Sequence, residues 1–446
     1  MKALKILMPV VFVAAVIGCT ERGAQTQANL KFFNNQLLYC KTVKKLNDVV
    51  LENNFPPMIA ARNYVYASIA AFECIAAGDD NYISLAGQIK HMPAMPKPEK
   101  GKDIDFDLAA LLSFTKVGNA VTFPEGSMMG YYADVKKMAD SVGISEAVVK
   151  NTIEFSDSIV AAILAWSKKD NYAQTRSAER YTVLYNVPGR WTPTPPAYTS
   201  AIEPHWKEIR PMVMDSASQF RPVPPPTYDL NNKKSVYYKA LMEVKNIGDS
   251  LTDEQKHIAD FWDDNPVKTN VIGHVMIITK KFSPPGHWMN IIGIGAKAAK
   301  ADFRTTVAAY AETAIALFDA FISCWEEKYR SNYVRPETMI NTIDEKWRPY
   351  IQTPPFPSYT SGHATNSAAA AEVMTHWFGD NLSFTDTSLL EFGIKNREIR
   401  SFRGAAAEAA MSRLYGGIHY RFDNENGAAA GKKLGEYVVS RLKLKK

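Results

Sequence analysis

Cysteine is scarce in this chain: four residues among 446, at positions 19, 40, 74 and 324. So few, so widely separated, exclude a disulfide-built scaffold and any cysteine-ligated metal cluster; with Cys19 read as lipidated, as argued below, the other three leave room for one bridge at most. A strong charge of one sign is also missing. The net charge of +6 over the whole chain gives little support to nucleic-acid binding, though it favours small anions. Beyond the amino terminus no segment reaches the roughly 20 continuous apolar residues of a membrane span; the longest apolar pattern, Asp302 to Arg330, is broken by Glu312 and Asp319. Two-residue turn signals flanked by alternating runs are lacking as well, which argues against a β architecture. What remains is ordinary for a globular protein with ample core material, 46% hydrophobic and 22% charged.

Helical spacing dominates. Apolar residues recur at three- and four-residue steps over Ala28 to Asn53, Pro57 to Ala77, Asp105 to Val121, Gly126 to Val142 and Ile144 to Ser167. Further helices are expected over Lys234 to Gly248, Thr252 to Trp262, His287 to Lys300, Asp302 to Arg330, Ala364 to Phe378, Ser383 to Gly416 with at least one break, and Gly427 to Leu442. Between the two sets lies a stretch too rich in proline for a long helix, from Val187 to Pro226. Its Trp191, Tyr198, Trp206 and Phe220 are expected to pin it to the surface as an ordered wrapping connection. The expected organisation is therefore a segment 1–19, an N-terminal helical region 20–186, a connection 187–230 and a C-terminal helical domain 231–446, an all-α chain whose site sits in a bundle core.

Residues 1–19 read as an export signal. Lys2 and Lys5 precede the apolar run Ile6 to Ile17, which ends in Val16-Ile17-Gly18-Cys19 and resembles the cleavage box of bacterial lipoproteins. Cys19 is then the acylated first residue of the mature chain, anchoring it to the periplasmic or outer-membrane surface of the envelope by its lipids alone. The plainer alternative is a secretory signal cleaved elsewhere.

The chemistry is concentrated in the last third. Lys328 and Arg335-Pro336, then Ser361-Gly362-His363, then Ser412-Arg413 with Gly417, His419 and Asp423 make three groups rich in cations and imidazoles. Two guanidinium forks and an ammonium suit a tetrahedral dianion, and a helix beginning at Ser-Gly-His would add its amides and macrodipole. Taken singly, each residue has a plainer reading: a dipole-complementing lysine, helix punctuation at Arg335-Pro336, a structural histidine at 419. Their ordered spacing over about a hundred residues favours one joint site. His91, His205, His257, His274 and His376 lack partners at metal-ligand spacing and read as structural or surface groups, while His287, in Pro284-Pro285-Gly286-His287-Trp288, fits a loop over the pocket mouth or a packed turn equally well.

These motifs resemble the signature of the superfamily that joins vanadium-dependent haloperoxidases to type-2 phosphatidic acid phosphatases. Trp325, the run Pro355 to His363, and His419-Tyr420-Arg421-Phe422-Asp423 look closer to the haloperoxidases, and among these to bacterial iodoperoxidases; Thr360 departs from the proline many members carry there, which should loosen the turn. The resemblance implies two packed helical bundles, the second holding vanadate. It implies that His419 bonds the metal centre with Asp423 fixing its tautomer, and that Lys328, Arg335, Ser361, Gly362 and Arg413 hold the oxygens. His363 would be the acid and base, and Trp325 and Phe356 would line the halide side. The implied partners are hydrogen peroxide, a halide (iodide before bromide) and a small organic acceptor, with no nucleic acid. The same residues would serve a soluble phosphatase in which His419 attacks phosphorus and His363 protonates the leaving group. A non-catalytic binding lipoprotein is the third reading and leaves the cation motifs unexplained.

Overall fold

The computed structural model describes residues 31–446 apart from Val267 and Gly273, so the expected signal segment, Cys19 and the first residues of the first expected helix lie outside the described residues. Among the described residues, fourteen α-helices and two small hairpins dominate the regular structure. The N-terminal group contains α1 (Gln36–Glu52), α2 (Pro57–Gly78), α3 (Phe106–Val121), α4 (Met129–Ser141) and α5 (Glu146–Ser167), followed by the single turn α6 (Tyr172–Thr175). The C-terminal part contains α7 (Val236–Asp249), α8 (Asp253–Phe261), α9 (Pro284–Ala298), α10 (Phe303–Ser331), α11 (Pro336–Ile340), α12 (Gly362–Phe378), α13 (Phe402–Tyr415) and α14 (Arg421–Arg441). Side-chain caps mark the starts, as with Asn35 accepting from the Leu38 amide and Asp302 from Thr305 at 2.6 Å.

Helix α10 is the beam between the two groups, packing against α2 on one side and against α12 and α14 on the other. Among the described residues it alone is long and apolar enough to cross a membrane, and its apolar stretch is wholly buried inside the fold. Its two interior acids have partners. The Asp319 carboxylate accepts three backbone N–H groups, from Met212, Val213 and Met214 at 2.6, 2.9 and 3.1 Å, and Glu312 accepts the Trp377 indole N–H. The first set ties the proline-rich connection to the core. Trp191 and Trp206 are buried and Phe220 packs on Tyr437, but Tyr198 is 64% exposed and pins nothing.

Two expectations fail. The segment after α12 does not continue as a helix from Ser383: strands Phe384–Asp386 and Arg397–Ile399 pair antiparallel, with Phe384 opposite Ile399 and both buried, and helix resumes only after the Ser401 cap. A second hairpin pairs Lys268–Ile272 with Val275–Thr279, and the two strands are separated in sequence by Gly273 and His274. Glycine first in a two-residue connection between β-branched runs is a hairpin signal that helical periodicity obscured.

The site is placed by one close contact. Helices α12 and α14 pack so tightly that a Cβ built on Gly431 would lie 2.0 Å from the Thr365 carbonyl oxygen, which only glycine permits. That approach brings the start of α12 beside the start of α14, where the Ser361 amide donates to the Asp423 carbonyl at 3.0 Å.

Candidate active site

The three sequence-distant groups converge. Lys328 lies in the last turn of α10, Arg335 caps α11, Ser361-Gly362-His363 open α12, Arg413 ends α13, and His419 and Asp423 bracket the start of α14. They surround the floor of a cleft of about 600 Å³, counting its open mouth, whose lining includes His363, Arg413, His419, Gly362, Trp325 and Phe356. Lys328 and Arg335 stand just behind that lining.

His419 is oriented from both sides. Its Nδ1 lies 2.8 Å from Asp423 Oδ2 and its Nε2 3.0 Å from Arg335 Nη1, so a proton on Nδ1, donated to the carboxylate, leaves the Nε2 lone pair directed at the guanidinium. Ser358 completes this arrangement by donating to the same Asp423 oxygen. Sequence reasoning missed Ser358, since a serine three residues before Ser361 carries no distinctive spacing.

The cations are fixed through backbone carbonyls. Lys328 Nζ donates to Pro357, Ser358 and Thr360 at 2.9, 3.0 and 2.5 Å, three acceptors that match the three N–H bonds of an ammonium. Thr360 is thus held rather than loosened. Arg335 donates from Nε to the Phe356 carbonyl at 2.9 Å and from Nη1 to Ile418 at 2.8 Å; Arg413 donates to Trp262 and Asp263. None of these three cations forms an ion pair with a carboxylate among the described residues. Ser361 is the N-cap of α12, its hydroxyl accepting from the Ala364 amide at 3.4 Å.

Electrostatics follow from burial without a direct ion pair. Burial, more than any neighbour, pushes Lys328 down to about 7, Arg335 to about 9 and Arg413 to about 10. His419 and His363 are both held well below the ordinary imidazole value, by burial first and then by the surrounding cations. Asp423 is raised to about 6 by burial, with the Ser358 hydrogen bond acting against it. Arg335 Nη2, His363 Nε2 and Asp423 Oδ1 are buried at the site without a hydrogen-bond partner, as is Asp263 Oδ1 in the cleft wall. An orphaned guanidinium donor and clustered cations without ion pairs beside a helix N-terminus suit an oxyanion. No cluster of three or more His, Cys, Asp or Glu that could hold a bare cation occurs among the described residues.

Above the floor the wall is apolar. Trp325 and Phe356 contact each other with ring centroids 5.0 Å apart, and Phe321, Ile202, Pro354 and Ile418 extend the surface. Phe356 also carries Lys328 and Arg335 over its ring, each 5.0 Å from the centroid. The cleft includes two further residues that were not anticipated, Asp263 and Asp264, from the segment after α8. His287, anticipated at the mouth or in a packed turn, lies fully buried in the first turn of α9.

A family model described as the VCPO second helical-bundle domain matches residues 308–445. A crystal structure described as the first bacterial vanadium-dependent iodoperoxidase is 42% identical, covering 93% of this chain and 98% of its own, with a TM-score of 0.87. Holo and apo crystal structures of a bacterial vanadium-dependent chloroperoxidase superpose with TM-scores of 0.64 and 0.65 over 87% of this chain and 92% and 95% of their own, at 17% and 16% identity, and share the fold. No curated protein is significantly similar.

Proposed function

Because the chain belongs to the vanadium-dependent haloperoxidase family, we propose that it oxidises a halide, iodide in first place, with hydrogen peroxide. In the net reaction one halide, one hydrogen peroxide and one proton give hypohalous acid and water, and the hypohalous acid then halogenates a small organic acceptor. The observation that carries this reading is the gathering of Lys328, Arg335 and Arg413, none of them in an ion pair, about a His419 whose Nδ1 is held by Asp423 and whose Nε2 faces Arg335.

The residues fit vanadate. His419 Nε2 would bond the metal, while the free Arg335 Nη2, Arg413 and the amides at the start of α12 would hold its oxygens. When bound, vanadate would supply the electrophilic centre at which peroxide becomes reactive toward halide. His363, with Nε2 unpartnered and its proton affinity depressed, would accept a proton from incoming peroxide and return it to departing water. Burial of Asp423 and its two hydrogen bonds keep His419 in one tautomer. The dry wall of Trp325, Phe356 and Phe321 would favour a large, weakly hydrated halide over a small one. We further propose that the protein is exported and anchored through acylated Cys19, the motif at residues 16–19 supporting this.

The test is to load metal-free protein with vanadate and measure peroxide-dependent oxidation of iodide, bromide and chloride beside phosphate-ester hydrolysis. Iodide oxidation fastest of the three is the expected result. Ester hydrolysis without any halide oxidation would transfer the assignment to a phosphatase acting through His419.

A further inference from the structure

Asp264, His287 and Asp386 have no part in the reaction as described, yet they form a buried chain that ends at His363. The His287 ring is fully buried. Its Nδ1 lies 3.1 Å from both Asp264 oxygens and its Nε2 3.0 Å from Asp386 Oδ2. A ring with a carboxylate at each nitrogen is satisfied only as the imidazolium, since a neutral ring would aim a lone pair at one of the two anions. Burial opposes that charge but both carboxylates favour it, and the balance lifts His287 to about 10. The ring cannot turn: Trp262 stacks on it at 4.7 Å and Phe261 abuts it at 5.3 Å.

Asp264 is held just as firmly. Its backbone occupies the left-handed region, with φ of +38°, a conformation that persists in a non-glycine residue where the surroundings enforce it. The preceding residue is fastened by Lys281, 2.8 Å from the Asp263 carboxylate. From this position Asp264 Oδ2 faces His363 Nε2 at 3.9 Å, the imidazole atom without a hydrogen-bond partner. Left free, the carboxylate would be drawn to the nearby Arg413 charge and would occupy ground that an anionic cofactor needs.

We infer that His287, clamped between Asp264 and Asp386, is a positioning residue for His363: it keeps the Asp264 carboxylate aimed at His363 Nε2 and off Arg413, and so sets the direction in which His363 takes and returns its proton. The inference rests on the proton-carrying role proposed for His363. Asp386 is the outer anchor, and from the first short strand after α12 it ties that hairpin to α9.

Two variants of the full chain test it, His287→Gln, which can donate to only one carboxylate, and Asp386→Ala, which removes the outer anchor. Each should lower kcat for halide oxidation by about tenfold or more and weaken vanadate binding as the released Asp264 carboxylate turns to Arg413, with the KM for halide changed by less than about threefold. Independently of turnover, ¹⁵N-histidine spectra of vanadate-free wild-type protein should show His287 carrying both N–H protons at neutral pH. A kcat unchanged in His287→Gln, or a singly protonated His287 at neutral pH, would overturn the inference. Failure of the functional assignment looks different: wild-type protein would then bind vanadate without oxidising halide, while the histidine spectra would still report the clamp.

Discussion

Nδ1 of His419 and Oδ2 of Asp423 lie 2.8 Å apart, and the same carboxylate oxygen also receives the Ser358 hydroxyl. This pair decides which imidazole nitrogen is free to bond a metal. Replacing Asp423 with Asn would let the amide donate to Nδ1 and move the ring proton to Nε2. Vanadate affinity in Asp423→Asn should fall by about 10- to 100-fold, as read by equilibrium dialysis. An unchanged affinity would remove Asp423 from this role.

Phe356 and His419 should separate two functions. Phe356→Ala opens the wall that faces Trp325 and removes the ring beneath Lys328 and Arg335 but keeps the backbone carbonyl that Arg335 bonds, so the ranking of iodide over bromide should narrow more than vanadate affinity changes. Steady-state rates with each halide, beside a binding isotherm, check this. A variant that loses the cofactor and keeps its halide ranking would contradict the division.

Buried acids give the fold a pH dependence. Burial raises Glu312 to about 7 from an ordinary value of 4.5, so the folded state binds its proton more tightly than the unfolded chain does. Stability from this group is therefore greatest in acid and falls as pH rises from about 4.5 through about 7. Glu312→Gln keeps an acceptor for the Trp377 indole and removes the charge. At pH 8 it should unfold at a higher temperature than wild type, by about 1–3 kcal/mol in stability, with the gain vanishing near pH 4. A thermal melt at the two pH values decides the sign.

Helix approach is a further test. Gly431→Ala would place a methyl group 2.0 Å from the Thr365 carbonyl, forcing α12 and α14 apart. The expected cost is about 1–3 kcal/mol in denaturant unfolding, with weakened vanadate binding, because the start of α12 moves with the helix. Ala429, on the exposed face of the same helix, borders a surface groove near Arg221, and Ala429→Ser should leave both quantities unchanged.

Much of this architecture could be read from residue order. Helical periodicity located α2, α3, α5 and α10 nearly to the residue because each keeps a long run of apolar steps. The cation groups were legible because lysine, arginine and histidine in fixed order have no simple packing explanation. Residues that hold those groups were not legible. Ser358 and Asp264 act through one or two side-chain contacts, and such partners stand far off in sequence: 65 positions separate Ser358 from Asp423, and 99 separate His287 from Asp386. The hairpin after α12 was missed for a related reason: Asp386 reaches His287 on a distant helix, and nothing local in residues 383–401 announces that partner.

The proposed chemistry requires one tetrahedral oxyanion centred at His419. A structure of the vanadate-loaded protein tests it most directly. One vanadate per chain, its metal bonded to His419 Nε2 and its oxygens contacting Arg335 and Arg413, is the predicted result. Vanadate bound elsewhere, or a His419 whose Nε2 stays on Arg335 at saturating vanadate, would contradict it.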